Sequence, residues 1–212
     1  MAPLRPIRVA RSLVALAACL GACLAACASP LCAGALAARP SVAPSVARAA
    51  RRAGGCAHAR LMPARGDLRL VRAATLCLIN RERVRHGERP LRANRRLQHA
   101  AQSHSTSMAL DGYFEHVGPG GSSPLARMRQ VGYVSSSRVG YEVGENIAWG
   151  TLSLATPSAI VASWMHSPAH RANILDPRYR DTGIGISPHV PSSLARGQAG
   201  AIYTQDFGVI IG

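Results

Sequence analysis

In the second half of the chain, apolar side chains follow first a helical and then an extended periodicity, and this order restricts the fold to a few classes. From Val71 to Ile79 they recur every three or four residues, which predicts an amphipathic helix that ends near Gly87. A second stripe of the same period predicts another helix between an N-cap at Asn94 and Gly112. The first structured part of the chain is therefore expected to be helical.

Shorter helices and several strands are predicted to follow. Each of the short helices begins at a proline, a residue that suits the first helical turn, and these are Pro124, Pro157 and Pro168. The segments with strand character are residues 143–149, 182–186 and 201–211. Early helices followed by strands with helices between them are typical of an α+β fold, in which helices cover a sheet.

The first 27 residues have the character of an export signal. Three arginines precede an apolar stretch, residues 12–26, that is too short to span a membrane comfortably. Leu24 to Cys27 resembles a lipobox, which predicts either a lipid on Cys27 or, as the alternative, ordinary cleavage at an Ala-x-Ala site. In both cases we expect a protein of the cell envelope or the extracellular space, with membrane contact only through that lipid.

Residues 28–66 are rich in Ala, Pro, Gly and Arg and hold few large apolar groups, which is typical of a linker. This leaves residues 67–212 as one folded domain, which we expect to be monomeric. Cys56 and Cys77 are the two cysteines that lie beyond the leader region. In an oxidising compartment they are expected to form a disulfide that joins the end of the linker to the first helix.

The chain is strongly basic, with 25 Lys and Arg against 10 Asp and Glu and a formal net charge of +15. Such a charge favours anionic polymers or lipid headgroups as partners, although a general bias toward arginine explains it equally well. The sequence contains no zinc-finger, RNA-recognition or homeodomain signature, so nucleic acid is not a predicted partner.

Four segments, in this order, resemble the CAP superfamily (cysteine-rich secretory proteins, antigen 5 and PR-1), and in particular bacterial SCP-like domain proteins. They are LINRER (78–83), GYFEH (112–116), GENIA (144–148) and WMHSPAHRANIL (164–175). Each segment is weakly specific alone, but their order over about 140 residues is a strong signal. The resemblance implies an α-β-α sandwich with a mostly antiparallel central sheet and a cavity lined by two histidines and two acids.

Carried onto this sequence, the resemblance assigns His116, Glu145 and His170 to that cavity. The second glutamate of eukaryotic members falls near Ser167, so this chain lacks one of the two carboxylates. Outside this set, His104 lies on the apolar stripe of the second helix and is expected to be a buried structural histidine. Asp206 is expected to pair with an arginine.

The chemistry of the three matched residues allows two interpretations. His116, His170 and Glu145 together are a reasonable ligand set for Zn²⁺ or another divalent cation, with water completing the coordination. They lie 29 and 25 residues apart and form no compact metal motif, so a hydrogen-bond network that fixes the cavity wall is the alternative.

Three functions follow from these interpretations. The first is a non-catalytic binding module for a lipid, a small apolar ligand or an anionic envelope polymer. The second is a metal-assisted hydrolase of peptide or cell-wall substrates, and the third is a purely structural interaction domain. Ser167 in place of a carboxylate disfavours an enzyme, because paired acid and base catalysis needs two titrating groups.

Overall fold

The computed structural model describes residues 55–136 and 138–211. Its helices are α1 (Leu68–Arg85), α2 (Arg95–Asp111), α3 (Pro124–Gln130), α4 (Pro157–His166), α5 (Pro168–Leu175) and α6 (Ser192–Ala195). Its strands are β1 (Arg92–Ala93), β2 (Gly140–Thr151), β3 (Asp181–Ser187) and β4 (Gly200–Ile211). Single 3-10 turns occur at Arg65–Asp67, Pro119–Gly121 and Leu152–Ala155.

The predicted helix boundaries correspond to local capping interactions. The Asn94 side chain accepts hydrogen bonds from the backbone N–H groups of Arg96 and Leu97, which begins α2 as expected for an N-cap. The same helix ends at Gly112, whose φ of 75° lies in the left-handed region that favours glycine. Ser123 caps α3 by accepting from the backbone N–H of Ala126.

The four strands form one sheet in the order β1-β3-β4-β2. The pairs β2–β4 and β3–β4 are antiparallel, and only the short β1 runs parallel to β3 among the described strands. The α+β class and the mostly antiparallel sheet are therefore confirmed. Strand β1 is not among the predicted strands, because two residues are too few to show the alternation that identifies a strand.

The two faces of the sheet carry different helices, and β3 shows which face is which. Gly183 and Gly185 lie directly beneath the backbone of α2. The alternate residues Ile184 and Ile186 point to the other face, into the core formed with α1, α4 and α5. The sheet is thus covered on both sides, which gives the expected α-β-α sandwich.

The larger part of the core lies between the sheet and helices α1, α4 and α5. Its largest fully buried side chain is Trp164, which is 1% exposed and donates its indole N–H to the carbonyl of Ile147 at 3.1 Å. This bond fastens α4 to β2 and satisfies a buried donor. Helix α4 thereby leads the chain to α5, which carries one of the candidate site residues.

The N-terminal part of the described chain, residues 55–67, packs onto the domain before α1 begins. Cys56 and Cys77 form the predicted disulfide, with their Cα atoms 5.8 Å apart. Cys56, Leu61 and Met62 contact the core side chains, and the Ser158 N–H donates to the Ala59 carbonyl at 2.9 Å. The end of the predicted linker is thus fastened to α1 and α4.

Replacing both Cys56 and Cys77 by alanine is expected to lower the free energy of unfolding by roughly 3 kcal/mol, the value of the chain-entropy model for a loop of about 20 residues. Denaturant titrations of the oxidised protein and the variant would measure this loss. Dithiothreitol should reproduce it in the natural protein and should leave the variant unchanged. An equal midpoint for the oxidised protein and the variant would contradict the prediction.

The predicted export signal, the lipidation site Cys27 and residues 28–54 of the linker lie outside the described residues. Within residues 55–136 and 138–211, no helix is both long enough and apolar enough to cross a membrane.

Candidate functional site

Glu145 lies at the centre of the candidate site. It belongs to β2, which forms one edge of the sheet, and its side chain is 2% exposed. The GENIA segment extends as a strand here, so Glu145 and Ile147 face α2 while Asn146 faces α4 and α5. The carboxylate is therefore buried on the face of the sheet that α2 covers, where it also meets Arg127 of α3.

Both oxygens of the Glu145 carboxylate accept a short hydrogen bond from a nitrogen. His116 Nδ1 lies 2.7 Å from Oε1, and Arg127 Nη2 lies 2.7 Å from Oε2. The same Arg127 nitrogen also donates to the His116 carbonyl at 3.0 Å. Arg127 therefore fixes the carboxylate and the backbone of its histidine partner together.

These partners decide the charge of Glu145. Burial alone raises the pKa of a carboxyl group, but the hydrogen bond from His116 and the charge of Arg127 outweigh burial here. The pKa of Glu145 is consequently held below its ordinary value, and the group is ionised near neutral pH. Because a carboxylate only accepts hydrogen bonds, His116 carries a proton on Nδ1, and in the neutral form of the imidazole its Nε2 has a free lone pair.

His170 reaches the same edge of the sheet from the other face. It is the third residue of α5, and its carbonyl accepts from Asn146 Nδ2 at 3.1 Å. Asn173, one turn later, donates to the Glu145 carbonyl at 3.2 Å and to Asn146 Oδ1 at 2.9 Å. Burial, and secondarily the charge of His116, lower the pKa of His170.

His116 is the more accessible of the two histidines, with 50% of its side chain exposed.

His104 extends the site inward. It is 1% exposed, its Nε2 donates to the Glu115 carbonyl at 2.9 Å, and the same nitrogen lies 3.9 Å from Glu145 Oε1. Burial lowers the pKa of His104 to about 4, so it is neutral at pH 7. The expected structural histidine is therefore a member of the same cluster.

Ser167 stands apart from these bonds. It is the N-cap residue of α5, where its φ and ψ of −92° and 119° end α4 and begin the next helix, and its side chain makes no capping bond. Five cavities in the described part of the chain, of about 380 to 620 Å³, have linings that include none of Ser167, His116, Glu145 and His170. Solvent reaches the site directly at His116.

Two members of the site were not recognised from the sequence. Arg127 lies in a short helix outside the four matched segments, and only its place beside the apolar Met128 hints that it is buried. Asp206 was expected to pair with an arginine, but its β4 position is paired across the sheet with Glu145. Its buried oxygens have no hydrogen-bond partner among the described residues.

The comparison with known families agrees with the geometry. The profile of the cysteine-rich secretory protein family, CAP, matches residues 76–207, which is more than half of the chain. The chain belongs to the CAP family. All four of the matched segments, together with Glu145, His116 and Arg127, lie within residues 76–207.

Two curated relatives come from Bacillus subtilis. The uncharacterized protein YkwD is 34% identical over 131 residues, which are 61% of this chain and 44% of that protein. The uncharacterized membrane protein YlbC is 32% identical over 111 residues, 52% of this chain and 30% of that protein. The CAP chain thus spans less than half the length of either relative.

Among solved structures, an outer surface protein of Borrelia burgdorferi has the same fold. Its TM-score is 0.52 at 15% sequence identity, and the match covers 68% of this chain and 92% of that one. At this identity the likeness supports the CAP fold alone.

The side chains around Glu145 can be compared with those of known metal sites. An imidazole held by a buried carboxylate, as His116 is held by Glu145, is a typical ligand of a transition metal. No group of three or more His, Cys, Asp and Glu side chains within residues 55–136 and 138–211 is arranged to hold a metal ion. A cation at Glu145 itself would compete with the hydrogen bonds that the carboxylate accepts from His116 and Arg127.

Proposed function

We propose that this CAP protein is exported and acts as a non-catalytic binding module of the cell envelope or the extracellular space. Its binding centre would be His116 and His170, with a divalent cation such as Zn²⁺ as the bound ion. The observation that carries the proposal is the 2.7 Å bond between His116 Nδ1 and Glu145. In the neutral form of this half-exposed imidazole, the bond leaves Nε2 free to bind a cation.

The surroundings of the two histidines support a metal ligand role. A histidine ligand commonly donates its other ring N–H to a carboxylate, which fixes the tautomer and makes the ligand more basic. Glu145 is such a carboxylate, and Arg127 holds it in place. The lowered pKa of His170 supports its neutral, metal-binding form near pH 7.

Two protein ligands leave coordination positions for water or for a bound molecule. An anionic group, such as a phosphate or carboxylate of an envelope polymer or lipid, would complete the coordination. The sequence beyond Gly66 supports such a partner, because it contains 16 arginines against ten acidic residues. The predicted export signal and the Cys56–Cys77 disulfide support an oxidising location.

The hydrolase alternative has less support. A general base must be free to accept a proton, whereas both Glu145 oxygens accept hydrogen bonds from His116 and Arg127. Ser167 supplies no second carboxylate. The third alternative is a purely structural role for the cluster. The Zn²⁺ titration described next distinguishes it from a metal-binding role.

Titration of the protein with ZnCl₂ near pH 7.5 in a calorimeter is expected to show one ion per chain. His116→Ala and His170→Ala should each abolish binding, whereas His189→Ala, which changes an exposed histidine in the β3–α6 connection, should not. Binding should weaken as the pH falls, because a protonated imidazole cannot coordinate a cation. Zn²⁺ at 100 times its Kd should stabilise the fold by about 2.7 kcal/mol.

If Zn²⁺ neither binds nor raises the melting temperature, the metal-dependent function is wrong. The cluster would then be a hydrogen-bond network that fixes the edge of the sheet. Equal loss of binding in His189→Ala would instead place the ion elsewhere on the surface.

A further inference from the structure

Asp206 and Glu145 form a pair of buried carboxyl groups on neighbouring strands. The two residues are directly opposite in the antiparallel β2–β4 register, so their side chains leave the sheet on the same face, beneath α2. Asp206 is 0% exposed. Its backbone carbonyl accepts from the Thr182 hydroxyl at 2.7 Å, but neither of its carboxyl oxygens meets a donor in the described part of the chain.

The hydrogen-bond donors and positive charges around this pair are bonded to Glu145 and not to Asp206. Helix α3 contributes Arg127, whose Nη2 is bonded to Glu145 Oε2. Helix α2 contributes His104, which is neutral and donates to the Glu115 carbonyl. His116 lies on the Glu145 side, and β3 places Gly183, which has no titratable group, opposite Asp206.

Two ionised carboxylates side by side in a buried environment repel each other, and Arg127 and His116 are both bonded to Glu145 rather than to Asp206, so one of the two groups keeps a proton. The proton belongs on Asp206, because Glu145 has two N–H donors that stabilise its charge and Asp206 has none. A neutral carboxylic acid also has an O–H group that can donate a hydrogen bond, whereas a carboxylate can only accept one. Protonation therefore gives the buried Asp206 side chain a way to form a hydrogen bond.

We propose that Asp206 is a neutral carboxylic acid that donates its hydrogen bond to Glu145, and that it acts as a positioning residue for the Glu145–His116 pair. The carboxylate then receives donors from His116, Arg127 and Asp206 and cannot rotate away from the imidazole. The site thus has a second carboxyl group, which lies on its buried side rather than at Ser167.

The electrostatic environment agrees with this assignment. Burial, and next the negative charge of Glu145, raise the pKa of Asp206 well above its ordinary value. In the unfolded chain the same aspartate ionises near pH 4. Above that pH, folding must take up a proton, so the stability of the natural protein should fall with rising pH until the folded-state pKa is reached.

Three variants of the full chain test the proposal. Asp206→Asn keeps the shape and an N–H donor toward Glu145 but cannot ionise, and Asp206→Leu removes the donor. Asp67→Asn is the matched control, because Asp67 lies at the N-terminus of α1, far along the chain from the site, and makes no side-chain capping bond. All measurements use metal-free protein, so a failure of cation binding does not affect them.

Infrared spectroscopy at pH 7 is expected to show the carbonyl band of one protonated carboxylic acid in the natural protein and in Asp67→Asn, but not in Asp206→Asn. Relative to Asp206→Asn, the unfolding equilibrium constant of the natural protein should rise by up to tenfold per pH unit above about pH 4, as expected for one proton. The melting temperature of Asp206→Asn should therefore increase relative to that of the natural protein as the pH rises.

Nuclear magnetic resonance of the imidazole nitrogens separates positioning from simple packing. In Asp206→Leu the His116 signals should lose the pattern of a single Nδ1–H tautomer, and Asp206→Asn should restore that pattern. The absence of the acid band, or parallel pH dependence in Asp206→Asn and the natural protein, would overturn the proposal. If Asp206→Leu does not fold, these two measurements still decide.

Discussion

Replacing Arg127 by methionine is expected to lower the free energy of unfolding by about 3–5 kcal/mol, because it leaves the Glu145 charge buried without its cation. The side chains of Arg127 and Glu145 are 6% and 2% exposed, so water cannot replace the lost partner. Denaturant titration at pH 7 measures the loss. Arg129→Met is the matched control, because Arg129 lies two residues away in α3 and is exposed.

The stability defect of Arg127→Met is expected to change with pH, and the direction of the change follows from the pKa of Glu145. In the natural protein the pKa of Glu145 is lowered, so its contribution to stability is complete above the unfolded pKa and is lost as the pH falls through the folded pKa. Without Arg127 that pKa rises, and the defect of Arg127→Met should shrink as the pH falls toward about 4. Adding Glu145→Gln should recover part of the stability, since it removes the unpaired charge.

An Arg127→Met variant that is no less stable than Arg129→Met would show that the ion pair does not hold the site. A defect that does not change with pH would show that packing, rather than the Glu145 charge, is responsible.

Replacing Gly185 by alanine is expected to cost about 3 kcal/mol, at the upper end of the range for overpacked cores. A Cβ atom at this position would overlap the backbone of Ala101 and Gln102 in α2, and backbone cannot move aside as a flexible side chain can. Helix α2 also carries His104, so its displacement should disturb the site. Thermal denaturation, together with the imidazole signals of His104, would measure both effects.

Gly66→Ala is the control for this substitution, because its Cβ would meet no atom within 4 Å and its φ is not in the left-handed region. It should leave the melting temperature unchanged or slightly higher. Equal stability of Gly185→Ala and Gly66→Ala would mean that α2 does not rest directly on β3.

The sequence determined those features of this CAP protein that depend on neighbouring residues. Helix α2 lies between Asn94 and Gly112 because capping and left-handed conformations are local preferences of these residues. The α+β order followed from apolar periodicity. The Cys56–Cys77 disulfide followed from the number of cysteines beyond the leader region and an oxidising compartment.

Family resemblance added His116, Glu145 and His170, but it did not identify the groups that hold them. Arg127 belongs to none of the matched segments, so no sequence pattern connected it with Glu145. The short β1 also escaped notice, because two residues become a strand only when a partner such as β3 lies beside them.

Only the tertiary structure decided the chemistry at Glu145. Arg127, His104 and Asp206 lie 18, 41 and 61 positions away from it along the chain, and no local periodicity relates such distant residues. The β2–β4 register places Asp206 opposite Glu145, and a slip of one residue would turn one of these side chains to the other face. Burial then makes Glu145 depend on Arg127, because a charge is stable in the protein interior only beside its partner.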